Sequence, residues 1–187
     1  TTAMKRIAIL SNGPGIDLYP TPFREEDFAE VIAVNWTIRG RRATWWCIRD
    51  WDAVAKSYPI LHAPTICCPG YVLRQLPVKD PDNWQWFRSL PHLLECDVTN
   101  SLPKGLALPE NQEKWCPYSG LLAIGLAYHL KAEQIVIYGA PMEGNDDHSG
   151  FRGGQRNADR WAHERAIYQA LTNAIRDAGV DIVRILP

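Results

Sequence analysis

Short, mostly apolar runs alternate along this chain with longer segments in which apolar residues recur at helical spacing. The apolar runs stand at 7–10, 31–34, 43–48, 65–68, 135–138 and 182–185. Runs of this length without a polar face are typical of strands that are covered on both sides, as in parallel sheets. Strands separated by helices predict a mainly parallel sheet with right-handed crossovers.

Three helices are predicted between these runs. A short helix is expected over 51–57, and the segment 121–130 is apolar nearly all round, which predicts a helix buried against the sheet. The third, 158–178, carries Tyr168, Leu171 and Ile175 on one face, and Gly179 is its stop signal. The fold class is therefore a Rossmann-like three-layer α/β sandwich, with one nucleotide-binding domain over 4–187.

The pattern breaks up between 69 and 118. This stretch holds prolines at 69, 77, 81, 91, 103, 109 and 117 and tryptophans at 84, 86 and 115. A long irregular insertion in a compact domain is more often a binding loop or lid than idle chain. The sequence predicts a lid-like, irregular insertion, and a proline-stiffened surface excursion pinned by tryptophans is the alternative.

Composition and charge narrow the class of protein. With 46% hydrophobic residues the chain is expected to be globular. Lys and Arg total 20 against 21 Asp and Glu, so the net charge of -1 gives no electrostatic basis for binding nucleic acid or an anionic membrane. No apolar run approaches the roughly 20 residues of a transmembrane helix, and no signal peptide is recognised. We expect a cytoplasmic protein, and whether it forms a homo-oligomer stays open.

Five cysteines, an odd number, occur without a Cys-x-x-Cys spacing. This disfavours both a disulfide framework and a structural zinc site. Cys47, Cys67 and Cys68 fall in strand-like runs, and we predict that they are buried reduced thiols.

The first apolar run ends directly in Asn12-Gly13-Pro14-Gly15. Glycines after a strand let backbone N–H groups approach an anion, so Asn12, Gly13 and Gly15 are predicted to contact a nucleotide. The dinucleotide fingerprint is absent, since the second strand ends in the uncharged Asn35, and no Gly-Lys-Ser/Thr follows a strand. NAD-dependent oxidoreductases and P-loop NTPases are thereby disfavoured.

In this architecture ligands bind beyond the carboxyl ends of the strands. This rule places Asn12, Asn35 and Asp50 around one crevice, together with the loop after residue 138. Ser119 is predicted to be the N-cap of the buried helix. With Gly120 it would direct free N–H groups and a partial positive charge at the same crevice, which suits phosphate or carboxylate.

Acid–base and charged candidates cluster late in the chain. His148, in a polar glycine-containing loop, is a candidate general base, with a solvated loop histidine as the alternative. His163 lies near the start of the last helix, where a structural role competes with catalysis. Further phosphate or substrate contacts are predicted at Asp50, Arg156, Arg160 and Glu164. An acidic group suited to Mg²⁺ is formed by Glu143, Asp146 and Asp147.

These motifs resemble a known family. The stretch Ile9-Leu10-Ser11-Asn12-Gly13-Pro14-Gly15, then Val34-Asn35, Tyr118-Ser119-Gly120 and Tyr138-Gly139, resembles the bacterial sialyltransferase family that includes the lipooligosaccharide sialyltransferases. It is similar also to the archaeal pterin diphosphokinase and motility accessory factor group. The resemblance implies that Asn12 and Asn35 contact the nucleotide of a cytidine monophosphate sugar. It also implies that Ser119 and Gly120 hold the phosphate or the sugar carboxylate.

Three functions remain open at this point. The favoured one is a glycosyltransferase that binds a nucleotide sugar, uses His148 or His163 as base and requires no cofactor. The second is a Mg²⁺-dependent phosphotransferase or diphosphokinase, with the metal at Glu143, Asp146 and Asp147. The third is a nucleotide-binding protein without catalysis.

Overall fold

A computed structural model describes residues 3–57, 60, 64–90, 93–95, 103, 118–140 and 158–187. Within these residues, seven strands form one sheet in the order β5-β4-β3-β2-β1-β6-β7, and every neighbouring pair is parallel. The strands are β1 Arg6–Leu10, β2 Glu30–Val34, β3 Trp45–Cys47, β4 Thr65–Cys68, β5 Leu93–Glu95, β6 Gln134–Tyr138 and β7 Asp181–Ile185.

Helices lie on both faces of the sheet. The α-helices are α1 Asp52–Ser57, α2 Gly70–Lys79, α3 Pro81–Arg88, α4 Ser119–His129 and α5 Ala158–Asp177. The 3₁₀ helices are η1 Ile16–Leu18, η2 Glu25–Asp27 and η3 Asn35–Gly40. This layering confirms the predicted Rossmann-like α/β fold with a parallel sheet. None of the described helices is long and apolar enough to span a membrane.

The core divides between the two faces because successive strand residues point to opposite sides. Ile7 and Ile9 of β1 face α4 and α5, in one cluster that contains most of the apolar residues of α4. Ala8 and Leu10 face the other way and pack with Ile16 of η1. The apolar sequence of α4 is explained by this position, since its residues 121–127 are all buried.

Successive strands are added to the sheet first on one side of β1 and then on the other. From β1 the chain proceeds outward through β2, β3, β4 and β5, and it then returns to place β6 on the opposite side of β1. A reversal of this kind opens a crevice at the carboxyl ends of the two central strands, where ligands of open α/β sheets bind. The fold therefore places the expected ligand site among the residues that follow β1, β2 and β6.

The predicted irregular insertion over 69–118 is wrong in its first part. Residues 70–79 and 81–88 form α2 and α3, and residues 93–95 add an edge strand to the sheet. Val72, Leu76 and Phe87 are fully buried, so this part belongs to the core. Apart from position 103, residues 96–117 lie outside the described part of the chain, and the corresponding part of the proposed lid stays a prediction.

The prolines of this part do not break the helices: two stand at helix starts, and Pro77 lies inside α2. Pro69 is the N-cap of α2 and Pro81 is the first residue of α3. Proline is favoured at the first helical position, where its missing N–H would have had no partner in the helix. Asp80 caps α3 by accepting a hydrogen bond from the Asn83 N–H at 3.4 Å.

The three cysteines predicted to be buried, Cys47, Cys67 and Cys68, form no disulfide and have no exposed surface. They lie on β3 and β4, in the middle of the sheet. The prediction for these thiols is confirmed.

Candidate functional site

The loops that follow β1 and β6 are joined backbone to backbone. The Ser11 N–H donates to the Tyr138 carbonyl at 2.9 Å, and the Gly13 N–H donates to the Gly139 carbonyl at 2.7 Å. Gly139 has φ +70, and a Cβ added to it would stand 2.2 Å from the Ser11 carbonyl oxygen. Only glycine fits this position. The two loops therefore form one fixed floor at the switch point of the sheet.

The start of α4 lies against this floor. A Cβ added to Gly120 would be 3.8 Å from the Ser11 Oγ. The N–H groups of Ser119 and Gly120 precede the first helical hydrogen bonds and have no acceptor inside the helix. The positive end of the helix is thus next to the loop after β1, an arrangement that suits an anion.

The prediction that Ser119 is the N-cap of this helix is wrong by one residue. Tyr118 is the N-cap, with the extended backbone angles φ -124 and ψ 148, and its carbonyl accepts from Leu121 and Leu122 at 3.1 and 3.0 Å. Ser119 is the first helical residue and is 6% exposed. Its backbone is already helical, so its hydroxyl does not occupy the capping position.

Asn35 follows β2 in a left-handed backbone conformation, with φ 51. The Trp46 indole Nε1 holds it there by donating to the Asn35 carbonyl at 2.8 Å. The register pairs Leu10 with Ala33, so Asn12 and Asn35 each stand two residues beyond the same level of neighbouring strands. The structure therefore brings the two predicted asparagines to adjacent strand ends.

The oxygen of the Asn35 side chain receives no hydrogen bond from the described residues. This Oδ1 atom is buried, and among the residues that the structure describes it has no hydrogen-bond partner. The same holds for the Oγ1 of Thr37, a residue that is 5% exposed. A buried polar atom left without a partner costs about 1 to 3 kcal/mol. Sequence reasoning missed Thr37, because nothing in the polar segment after β2 distinguishes it.

His163 lies beside the start of α4. Its exposed ring meets the Tyr118 ring edge to face, with centroids 6.1 Å apart and an angle of 76°. Glu164, the next residue of α5, is 8% exposed. Arg160 belongs to the first turn of the same helix. The beginning of α5 thus contacts the N-cap residue of α4, and the site roles of His163, Arg160 and Glu164 stay predictions.

Two other predicted site residues have different surroundings. Gly15 has φ +92, and a Cβ added to it would be 3.2 Å from the Pro187 Cδ. The turn and this packing both require a small residue, so the glycine is explained without a ligand. Asp50 is exposed beyond β3, and its carbonyl accepts from the Ala53 N–H at 3.1 Å, where α1 begins.

The remaining predicted residues lie outside the described part of the chain and stay predictions. These are Glu143, Asp146, Asp147, His148 and Arg156. The described ranges contain no group of three or more His, Cys, Asp or Glu side chains that could hold a metal ion.

Tyr138, the last residue of β6, makes contacts that stabilise the fold. Its hydroxyl donates to the Pro20 carbonyl at 3.0 Å, and its ring meets the Tyr19 ring edge to face at 5.3 Å. Burial raises the pKa of Tyr138 to about 12, with a further contribution from Tyr19 and an opposing one from Arg6. The phenol therefore stays protonated at neutral pH and serves the packing beneath the crevice.

Sequence reasoning also missed Arg49, which follows β3 and is 7% exposed. Its Nε and Nη2 donate to the Tyr71 hydroxyl at 3.1 and 2.9 Å, and that hydroxyl donates to the Arg49 carbonyl at 2.9 Å. The Arg49 Cζ lies 5.7 Å from the Tyr71 ring centroid. The available signal was a cation placed directly after an apolar strand.

No family model and no curated protein matches the chain. A solved structure does match: the sialyltransferase CstII from Campylobacter jejuni, in complex with the substrate analogue CMP-3FNeuAc. The match covers 98% of this chain and 82% of that chain, with a TM-score of 0.52 and 15% sequence identity. At this identity the likeness concerns the fold, and the chain has a fold distantly similar to that of a sialyltransferase.

Proposed function

We propose that this chain binds a nucleotide sugar across the carboxyl ends of β1 and β2 and transfers the sugar to an acceptor hydroxyl. The observation that carries the proposal is Asn35, a residue in a left-handed conformation whose buried Oδ1 has no partner in the described structure. Backbone outliers of this kind concentrate at ligand sites, because the surrounding structure must hold them in place.

The chemistry of the Asn35 side chain suits a nucleoside. An amide oxygen accepts hydrogen bonds, so its partner must be an N–H or O–H group. Ribose hydroxyls and the amino group of a base both provide such donors. The indole of Trp46 fixes the backbone of Asn35, and the side chain is therefore oriented before a ligand arrives.

The start of α4 suits the phosphate of the same ligand. The N–H groups of Ser119 and Gly120, which have no acceptor inside the helix, and the positive end of the helix favour an anion. Gly120 faces Ser11 of the loop after β1, so this end of α4 and the strand ends share one crevice. CstII was solved with CMP-3FNeuAc, and on that similarity we favour a cytidine monophosphate sugar as donor.

In the transfer, the acceptor oxygen forms a bond to the sugar carbon as the bond between that carbon and the phosphate oxygen breaks. The phosphate leaves with the bonding electrons, and the start of α4 stabilises the developing negative charge. The acceptor proton passes to a base. His163, beside Tyr118, is the candidate among the described residues, and His148 is the other candidate.

Calorimetric titration with CMP, a CMP sugar, UDP and a UDP sugar tests binding, with the same panel repeated in EDTA. Wild type is expected to bind CMP compounds in both conditions, and Asn35→Gly is expected to bind them about tenfold more weakly. Absence of binding for every nucleotide contradicts the proposal.

Turnover separates the favoured reaction from its alternatives. Release of CMP in the presence of acceptor sugars is expected to continue in EDTA and to fall at least about a hundredfold in a variant that lacks the base. His163→Gln and His148→Gln are compared, with nucleotide affinity as the control for each. Metal-dependent phosphate transfer would favour the reading with Glu143, Asp146 and Asp147, and binding without turnover would favour a non-catalytic protein.

A further inference from the structure

Arg49 is a buried cation without a described counter-charge. It is 7% exposed, and no carboxylate in the described ranges forms an ion pair with it. Arginine is rarely buried to this extent without a partner, because removing a charge from water costs several kcal/mol. Its described hydrogen-bond partner is a neutral phenol.

Tyr71 cannot complete the coordination of the guanidinium. A hydroxyl has one donor and two acceptor sites, and the Tyr71 hydroxyl already accepts from Nε and Nη2 and donates to the Arg49 carbonyl. Two of the five guanidinium N–H groups are thereby used. The other three have no acceptor in the described part of the chain, and they include both N–H groups of Nη1.

A second positive feature follows the neighbouring strand. Tyr71 belongs to the first turn of α2, which begins at Gly70, and Pro69 provides no side-chain cap. The first N–H groups of α2 therefore have no acceptor inside the helix and form its positive end. Cys47 of β3 pairs with Cys67 of β4, so Arg49 and Gly70 follow neighbouring parallel strands at the ligand-binding edge.

We propose that Arg49, positioned by Tyr71 at the start of α2, binds an oxyanion, the carboxylate or phosphate of a small molecule. The planar guanidinium suits such a group because parallel N–H donors meet two oxygens at once. Tyr71 fixes the plane of the fork and so acts as a positioning residue. The site lies beyond β3 and β4, whereas the nucleotide is proposed to bind beyond β1 and β2, so either site can fail without the other.

The test measures the rise of the melting temperature with inorganic phosphate and with acetate, each at constant ionic strength against chloride. Wild type is expected to be stabilised by at least one of these anions, and the stronger one identifies the phosphate or carboxylate source. Arg49→Gln should weaken the apparent affinity about 10- to 100-fold, and Arg49→Lys, which keeps the charge but loses the fork, at least about threefold. Arg74→Gln is the control: it removes an exposed arginine of α2 and should leave the anion affinity unchanged.

The stability of the free protein separates this proposal from an internal ion pair. If a carboxylate elsewhere in the chain neutralises Arg49, Arg49→Gln leaves that carboxylate buried and lowers the melting temperature of the free protein by roughly 6 °C or more. The proposal predicts a change of less than about 4 °C. Equal anion affinity in wild type and Arg49→Gln, or no anion response in wild type, overturns the proposal. Nucleotide binding in Arg49→Gln shows whether the other site remains intact.

Discussion

Gly139 lies so close to Ser11 that a Cβ on Gly139 would stand 2.2 Å from the Ser11 carbonyl oxygen. Heavy atoms do not approach to this distance, and the obstacle is backbone rather than a flexible side chain. The positive φ of Gly139 adds a second requirement for glycine. The contact joins the loops that follow β1 and β6. The shape of the crevice therefore depends on the absence of a side chain at Gly139.

Gly139→Ala is expected to lower the free energy of unfolding by roughly 3 kcal/mol or more, because it combines backbone strain with overpacking. Gly179→Ala is the matched control: Gly179 has φ +93, but a Cβ there meets nothing within 4 Å. This control should cost only about 1 to 2 kcal/mol. Urea denaturation of both variants measures the difference, and equal losses would show that the close approach to Ser11 is unimportant.

Substitutions at Asn35 distinguish the contribution of its left-handed backbone conformation from that of its side-chain amide. Asn35→Gly keeps the left-handed conformation at little cost, whereas Asn35→Ala should lower the free energy of unfolding by about 1 to 2 kcal/mol. Both variants lose the amide, so both should bind CMP about tenfold more weakly. Denaturation and calorimetry provide the two measurements. Full CMP affinity in Asn35→Gly would exclude the side chain from the nucleotide site.

Gly120→Ala tests whether the glycine at the start of α4 leaves room for a ligand or is required by packing. The added Cβ would make an ordinary contact at 3.8 Å with the Ser11 Oγ, and alanine is the better helix former. We expect the free energy of unfolding to stay equal or rise by up to about 1 kcal/mol. Affinity for CMP should nevertheless fall about tenfold, since the methyl group obstructs the phosphate. Unchanged affinity would remove the phosphate from this helix end.

Alkaline pH should reveal the buried phenol of Tyr138. Its pKa is raised to about 12 from the ordinary value of 10.0, so the unfolded chain ionises first as pH increases. The stabilisation is complete below pH 10 and is lost between about pH 10 and 12, by up to roughly 2 to 3 kcal/mol.

Tyr138→Phe provides the comparison for this pH dependence. At pH 8 it should cost about 1 kcal/mol, because the hydrogen bond to the Pro20 carbonyl is lost. Between pH 9 and 11.5 its free energy of unfolding should decline less steeply than that of wild type. Urea denaturation across this range measures both curves, and parallel curves would contradict the assignment.

Much of the fold was predictable because the apolar runs are short and the helices between them are strongly patterned. The strand predicted at 65–68 is observed as Thr65–Cys68, and the helix predicted at 158–178 as Ala158–Asp177. The region after Pro69 was not predictable in this way. Proline is read as a breaker in a sequence, but only the tertiary structure shows that Pro81 begins a helix.

The candidate site was predictable at its strand ends and not in its detail. Asn12 and Asn35 follow from the rule that ligands bind at the carboxyl ends of parallel strands. The buried hydroxyl of Thr37 and the pairing of Arg49 with Tyr71 depend on contacts between distant segments, which no local pattern records. The exact start of α4, at Ser119 instead of one residue later, depends on backbone angles at Tyr118.

The hydrogen bonds that join Ser11 to Tyr138 and Gly13 to Gly139 also govern when the crevice can exist. Most of the described chain lies between the two loops, so the floor of the crevice forms only after β6 has inserted beside β1. A growing chain on the ribosome would display the loop after β1 early, but the proposed nucleotide site would stay incomplete until the residues around Gly139 had emerged. If the proposed site binds a nucleotide, that binding reports completed assembly of the central sheet.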